Sequence, residues 1–362
     1  MAQKYLMNKP KGGFLSITGL REVVSSECLM KIAVHLIVIL LAYQYSFNIR
    51  PWLNSLTLNN GYPPYPNFIS ADPFVYWKYA TTYGWSEIPL NIFGPVYFAK
   101  IFFCNFDAIF IANLAILILS IKCFAQRISQ SNYLVLIVLL INPAISSQVF
   151  FVNKELYMII SALLFLSTTR TKSWIFAAAC LMALFTKIEF LAVVGLWLVL
   201  RKQSYLVIVY SLFALIGAIS IFYSFIPGMA DKESVLTYAS KNSQSIGLSS
   251  LWQYLATEYH LFFLVIVPRV LQASSAGIVE LFRGGISVLK NGWVTVISSF
   301  IFTSMLAWIV TLKRKVTAEV IFLSLWFVVS ATLPFAIHRY LFPCYPFMYF
   351  IILKREQIYE KG

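Results

Sequence analysis

Long apolar stretches joined by short polar connectors dominate the chain. Apolar runs fall at Ile32–Phe47, Ala108–Ile121, Tyr133–Val152, Leu156–Leu166, Trp174–Phe185, Phe190–Leu200, Tyr205–Ile226, Val294–Leu312, Val320–Ile337 and Tyr340–Leu353. A helix needs about 20 apolar residues to cross roughly 30 Å of hydrocarbon. Several runs are shorter, which leaves half-length helices or fused pairs open. The pattern predicts an all-α, polytopic transmembrane helix bundle of about ten spans, with a range of nine to twelve. Two weaker stretches, Ile88–Phe103 and Tyr259–Leu271, carry Pro89, Pro95, Lys100, Pro268 and Arg269. They read as interfacial or re-entrant helices on the outer face.

Composition supports the membrane assignment. Of the 362 residues, 60% are apolar and 12% charged. A soluble globule carries about 25% charged residues, so a soluble enzyme is excluded, and so is a disordered chain. The net charge of +14 would suggest nucleic acid in a soluble protein. Here it fits lysines and arginines flanking spans on the cytoplasmic side, with no nucleic-acid partner. The five cysteines show no CxxC spacing and read as small apolar residues. The basic N-terminal segment has no apolar core and no small-x-small site after the first run, which argues against a removable signal peptide.

Basic connectors set the expected topology. Placing both termini in the cytoplasm also puts Lys122/Arg127, Arg170/Lys172, Arg201/Lys202, Lys313/Arg314/Lys315 and Lys354/Arg355 inside. The expected organisation is a cytoplasmic segment over 1–31, one transmembrane domain over 32–353 with outer loops at 49–88 and 227–292, and a cytoplasmic tail over 354–362. This assignment collects the unusual polar residues on the outer face, where ionisable groups at membrane depth have a partner or a function.

Four constellations stand out there. In the first loop, Asp72 precedes Pro73 and suits a helix N-cap. Tyr76, Tyr79 and Tyr83 then share a helical face, with Trp77 and Lys78 between them. This is either a capped interfacial aromatic helix, or Asp72 is a general base with Tyr76, Trp77 and Tyr79 as a stacking surface for sugars. Asn153-Lys154-Glu155 opens a helix. Lys154 either pairs with Glu155 and snorkels, or anchors a phosphate. Lys187 repeats that choice, with Glu189 as its local partner. His338-Arg339-Tyr340, followed by Pro343 and Pro346, puts an arginine where the last run meets the outer face. Arg339 either anchors the interface or grips a diphosphate through paired N–H donors, and His338 could move a proton. The long second outer segment, with Arg269, Arg283 and Lys290, reads as a solvated cap or as a lid over an acceptor.

No Walker A loop, dinucleotide fingerprint, HExxH, CxxCH or GxSxG is present. No cofactor is therefore expected. A divalent metal on Asp72 has no Asp/Glu pair or DxD spacing to support it.

Asp72 with Tyr76, Asn91-Ile92-Phe93-Gly94-Pro95, Asn153-Lys154-Glu155, Lys187 and His338-Arg339-Tyr340 together resemble the GT-C superfamily of membrane glycosyltransferases. They are also similar to the O-antigen and exopolysaccharide repeat-unit polymerases of related architecture. The resemblance implies a transferase in a bacterial inner membrane that takes a sugar or oligosaccharide from a polyprenyl-(di)phosphate donor to a glycan acceptor. Its implied partners are membrane lipid and polysaccharide-assembly proteins. It implies Asp72 as the catalytic base or acceptor ligand and Lys154, Lys187, Arg269 and Arg339 as holders of the carrier phosphates, while His338 stays a catalytic candidate on its own chemistry. The chain departs from that pattern in lacking paired acids in the first loop and a soluble domain after the last run. A polysaccharide polymerase is the leading reading. A single-sugar transferase and a lipid-linked-oligosaccharide flippase are the alternatives, although no duplicated halves are visible.

Overall fold

The computed structural model describes residues 17–58, 72–89, 92–168, 173–222, 248–285, 287–311, 317–332 and 338–359, and among them every regular element is helical. The helices are α1 (Ile17–Gln44), α2 (Arg50–Leu58), α3 (Asp72–Thr82), α4 (Phe93–Ile101), α5 (Phe106–Ile128), α6 (Asn132–Ile141) and α7 (Pro143–Ser146). They continue as α8 (Lys154–Ser167), α9 (Trp174–Leu184), α10 (Ile188–Leu200), α11 (Tyr205–Phe222) and α12 (Leu248–Glu258). The last four are α13 (Phe262–Gly284), α14 (Ser287–Thr311), α15 (Ala318–Thr332) and α16 (Cys344–Tyr359).

Among the described residues, five helical segments are long and apolar enough to cross a membrane: Ser26–Asn54, Phe106–Ile128, Tyr205–Phe222, Phe262–Gly284 and Gly292–Thr311. A sixth crossing exists if α6 and the bent segment that follows it count as one broken span. Other predicted runs form shorter apolar helices, at Trp174–Leu184, Glu189–Leu200, Ala318–Thr332 and Cys344–Lys354.

The stretch Tyr259–Leu271, expected to be interfacial or re-entrant, runs into α13, a 23-residue helix long and apolar enough to cross a membrane. Pro268 lies in the second turn and removes a single helical hydrogen bond there. Arg269, which broke the apolar run, is 2% exposed and donates from Nη1 to the Ala331 carbonyl at 2.7 Å. Its charge faces protein rather than lipid, so it does not prevent a span.

The centre of the fold is α8, all fourteen residues of which are buried. It is packed by α5, α9 and α16. The approach to α8 is irregular for a reason legible in Asn142-Pro143. Proline disfavours helical backbone in the residue before it, and Asn142 is extended (φ −69°, ψ 112°). The chain bends there by 82°. Asn142 stabilises the bend: its Oδ1 accepts from Ala144 N–H at 3.0 Å and its Nδ2 donates to Tyr349 Oη at 3.2 Å. Beyond the turn Ser147–Phe150, the buried Asn113 amide donates to the carbonyls of Val149 (3.2 Å) and Phe151 (3.1 Å). Non-helical backbone at this depth requires such partners.

Small residues set a close helix crossing between α13 and α14. A Cβ at Gly277 of α13 would sit 2.5 Å from the Thr295 carbonyl oxygen of α14. The Thr303 hydroxyl donates to the Ser274 carbonyl at 3.3 Å across the same seam. With no hydrophobic drive between helices in lipid, such close backbone approach carries their association. Gly277→Leu is expected to destabilise the protein by about 1–3 kcal/mol, read as a lower unfolding temperature in detergent. Gly217→Leu, on a helix face with nothing within 4 Å, is the control and should leave that temperature unchanged.

Candidate functional site

Three chain segments bring Lys187 and Arg339 to one junction, with Lys154 at the start of the helix that supplies its carboxylate. The first is the start of α8, where Asn153 caps the helix by accepting from Glu155 N–H. The second is the turn between α9 and α10. There the Thr186 hydroxyl donates to the Ala183 carbonyl at 2.6 Å and Lys187 occupies the N-cap position of α10. The third is the 3-10 turn His338–Leu341, whose Tyr340 carbonyl accepts from Trp326 Nε1 at 2.7 Å. Gly94 seats α4 against the second segment, because a Cβ there would lie 2.3 Å from the Phe185 Cα.

At this junction Lys187 Nζ lies 3.6 Å from Glu155 Oε1 and 4.8 Å from the centroid of the Tyr340 ring. The Arg339 guanidinium carbon lies 5.4 Å from the same ring. Lys187 therefore pairs with a carboxylate on another helix and not with Glu189 beside it. Lys154, 6% exposed, places its ammonium 5.5 Å from the Tyr76 ring, so α8 and α3 meet through a cation–π contact. Asp72 opens α3 one turn before Tyr76. Its side chain, and with it the expected N-cap bond, lies outside the described residues.

The remaining predicted residues are placed differently. Trp77 stacks on Phe106 with centroids 3.8 Å apart, and Tyr79 stacks on Tyr83 at 4.7 Å. Tyr76 is 4% exposed. Each of these rings thus has part of its surface occupied by protein. Arg269 is held at the end of α15 through Ala331, one turn from Ala273, and is not part of the Lys187 junction. His338 turns toward α13 and α14. Its Nδ1 is 3.1 Å from the Ala273 carbonyl, its Nε2 is 3.1 Å from Tyr345 Oη, and Tyr345 Oη donates to the Ser298 carbonyl at 2.7 Å. Both imidazole nitrogens are engaged by neutral groups, which fixes the ring and the turn that carries it.

Two charged groups stand out only in three dimensions. Glu155 is 1% exposed, and its carboxylate is the counter-charge for Lys187. Asp107 accepts from Tyr45 Oη at 2.8 Å and pairs with Arg50 at 2.7 Å, clamping the first span to α5. The asparagine before each acid, Asn153 and Asn105, marks a helix start, but nothing in the sequence names the distant partner. Among the described residues no group of three His, Cys, Asp or Glu side chains could hold a metal ion.

No protein-family model, curated protein or solved structure matches the chain.

Tyr345→Phe removes the hydroxyl shared by His338 and Ser298 and leaves both buried groups short of a partner. The expected cost is about 1–3 kcal/mol. It should appear as a lower unfolding temperature than the wild type in detergent.

Proposed function

We propose that the chain is an integral-membrane glycosyltransferase of bacterial surface-polysaccharide assembly. It takes a sugar or oligosaccharide from a polyprenyl-(di)phosphate carrier at the outer face of the inner membrane, most specifically as a repeat-unit polymerase. In this reading the short apolar helices complete about ten crossings and both termini are cytoplasmic.

The observation that carries the reading is the gathering of Lys187, Arg339 and Tyr340 beside a buried carboxylate, with Lys154 on the adjoining turn of α8. Asp72 opens the helix that Lys154 touches and is taken here as the second acid of the site. Fixed cations at membrane depth suit a ligand that is anionic at one end and apolar at the other, and a polyprenyl (di)phosphate is such a molecule. Negative charge grows on the leaving phosphate as the glycosidic bond breaks, and a preset ammonium and guanidinium stabilise it. Asp72 is assigned the acceptor: its carboxylate takes the proton of the sugar hydroxyl that attacks the anomeric carbon. His338, tied to Ala273 and Tyr345, is assigned to holding the turn that presents Arg339 rather than to proton transfer. Arg269 is assigned to joining α13 to α15.

The test uses the purified protein in lipid bilayers with a polyprenyl-diphosphate-linked oligosaccharide and a glycan acceptor. Wild-type protein should release polyprenyl diphosphate and extend the acceptor. Asp72→Asn and Arg339→Ala should each slow release at least about 100-fold while still inserting and accumulating. Either variant at the wild-type rate would contradict the assignment. Products one sugar longer, rather than one repeat unit longer, would identify a single-sugar transferase. Movement of intact donor across the bilayer without release would identify a flippase.

A further inference from the structure

Glu155 is 1% exposed, and among the described residues neither of its carboxylate oxygens accepts a hydrogen bond. A buried acceptor with unused lone pairs calls for an explanation in a folded protein. Its neighbour Lys187 stands at 3.6 Å, beyond the roughly 2.7–2.9 Å of a charge-assisted hydrogen bond. The two ends of the pair also differ in depth, because the Lys187 side chain is 23% exposed and that of Glu155 is 1% exposed. Anything that approaches the pair meets the ammonium first and the carboxylate only through it.

The geometry points to Glu155 as the positioning residue of the phosphate grip. It holds the Lys187 ammonium over Tyr340 by charge, without taking up its N–H donors. A closer carboxylate would commit those donors. With no carboxylate, the flexible four-carbon stem would be free to swing. The ring beneath supplies a second, directional attraction at 4.8 Å. The Lys187 N–H groups stay directed toward an anionic ligand, which on the reading above is the (di)phosphate of the donor. Glu155 touches no reacting atom in this scheme and acts through Lys187 alone.

Such dependence predicts that the two residues do not act independently. The experiment compares wild type, Glu155→Gln, Lys187→Met and the double variant in lipid bilayers. One readout is binding of inorganic diphosphate by titration and the other is the transfer rate. Lys187→Met should weaken diphosphate binding at least about tenfold. Glu155→Gln, which keeps shape and removes charge, should lower kcat by about ten- to 100-fold and weaken diphosphate binding by about three- to tenfold, less than Lys187→Met does. In the Lys187→Met background the same change should alter either readout less than about twofold. An equal effect of Glu155→Gln in both backgrounds overturns the inference, and so does a wild-type kcat for Glu155→Gln. Wild-type protein that shows the coupling in diphosphate binding but transfers nothing would remove the transferase reading and leave the positioning role standing. Wild-type protein that binds no diphosphate removes the positioning role. Should Lys187→Met fail to fold, Glu155→Asp decides the matter. It keeps the charge one methylene further back and should recover part of the rate lost in Glu155→Gln, whereas recovery of none overturns the inference.

Discussion

A carboxylate in the first turn of a wholly buried helix is the constraint around which the rest of the structure is arranged. α8 has no polar face to turn outward, so Glu155 at its start has no route to water. An ionised carboxylate in that position requires a cation brought from elsewhere in the chain. Lys187 supplies it from the turn between α9 and α10. That turn must therefore lie against the start of α8, and the antiparallel packing of α9 on α8 follows the same path. Gly94 permits α4 to close over the backbone of Phe185, immediately before the turn.

The irregular backbone that leads into α8 answers to the same demand. Asn142-Pro143 breaks the preceding helix, the buried amides of Asn142 and Asn113 bond backbone groups around the break, and Gln148 and Asn153 bond each other between it and α8. The far side of the junction is fixed by the turn His338–Leu341. There His338 is bound to α13 and Tyr345, and the Tyr340 carbonyl accepts from Trp326. Arg339 sits between these two restraints, so its guanidinium reaches the Tyr340 ring from a turn that is held on both sides. Rigid support of this kind is what a binding site would require of its surroundings.

Much of this was legible in the sequence, because apolar runs and the punctuation between them are local signals. The helix start at Asn153 follows from residues close together in the chain, and so does the choice of Lys154, Lys187 and Arg339 as candidates, whereas the apolar run Tyr133–Val152 hides the break that the structure makes at Pro143. What failed did so where a distant partner decides the outcome. Lys187 has Glu189 as its local candidate, and only helix packing shows that Glu155 takes the role. Pro268 and Arg269 interrupt an apolar run and argued against a span. The Ala331 carbonyl, more than sixty positions away, neutralises that objection. Trp77 has Phe106 stacked against its ring, a contact that no local pattern announces.

Reversal of the central pair tests the account most directly. Glu155→Lys, Lys187→Glu and the double exchange would be compared by thermal unfolding in detergent. Each single exchange puts two like charges together at the core and should cost about 3–5 kcal/mol. The double exchange restores an opposite-charge pair and should recover most of that loss. Losses that simply add would mean the two side chains do not meet, and the junction described here would not exist.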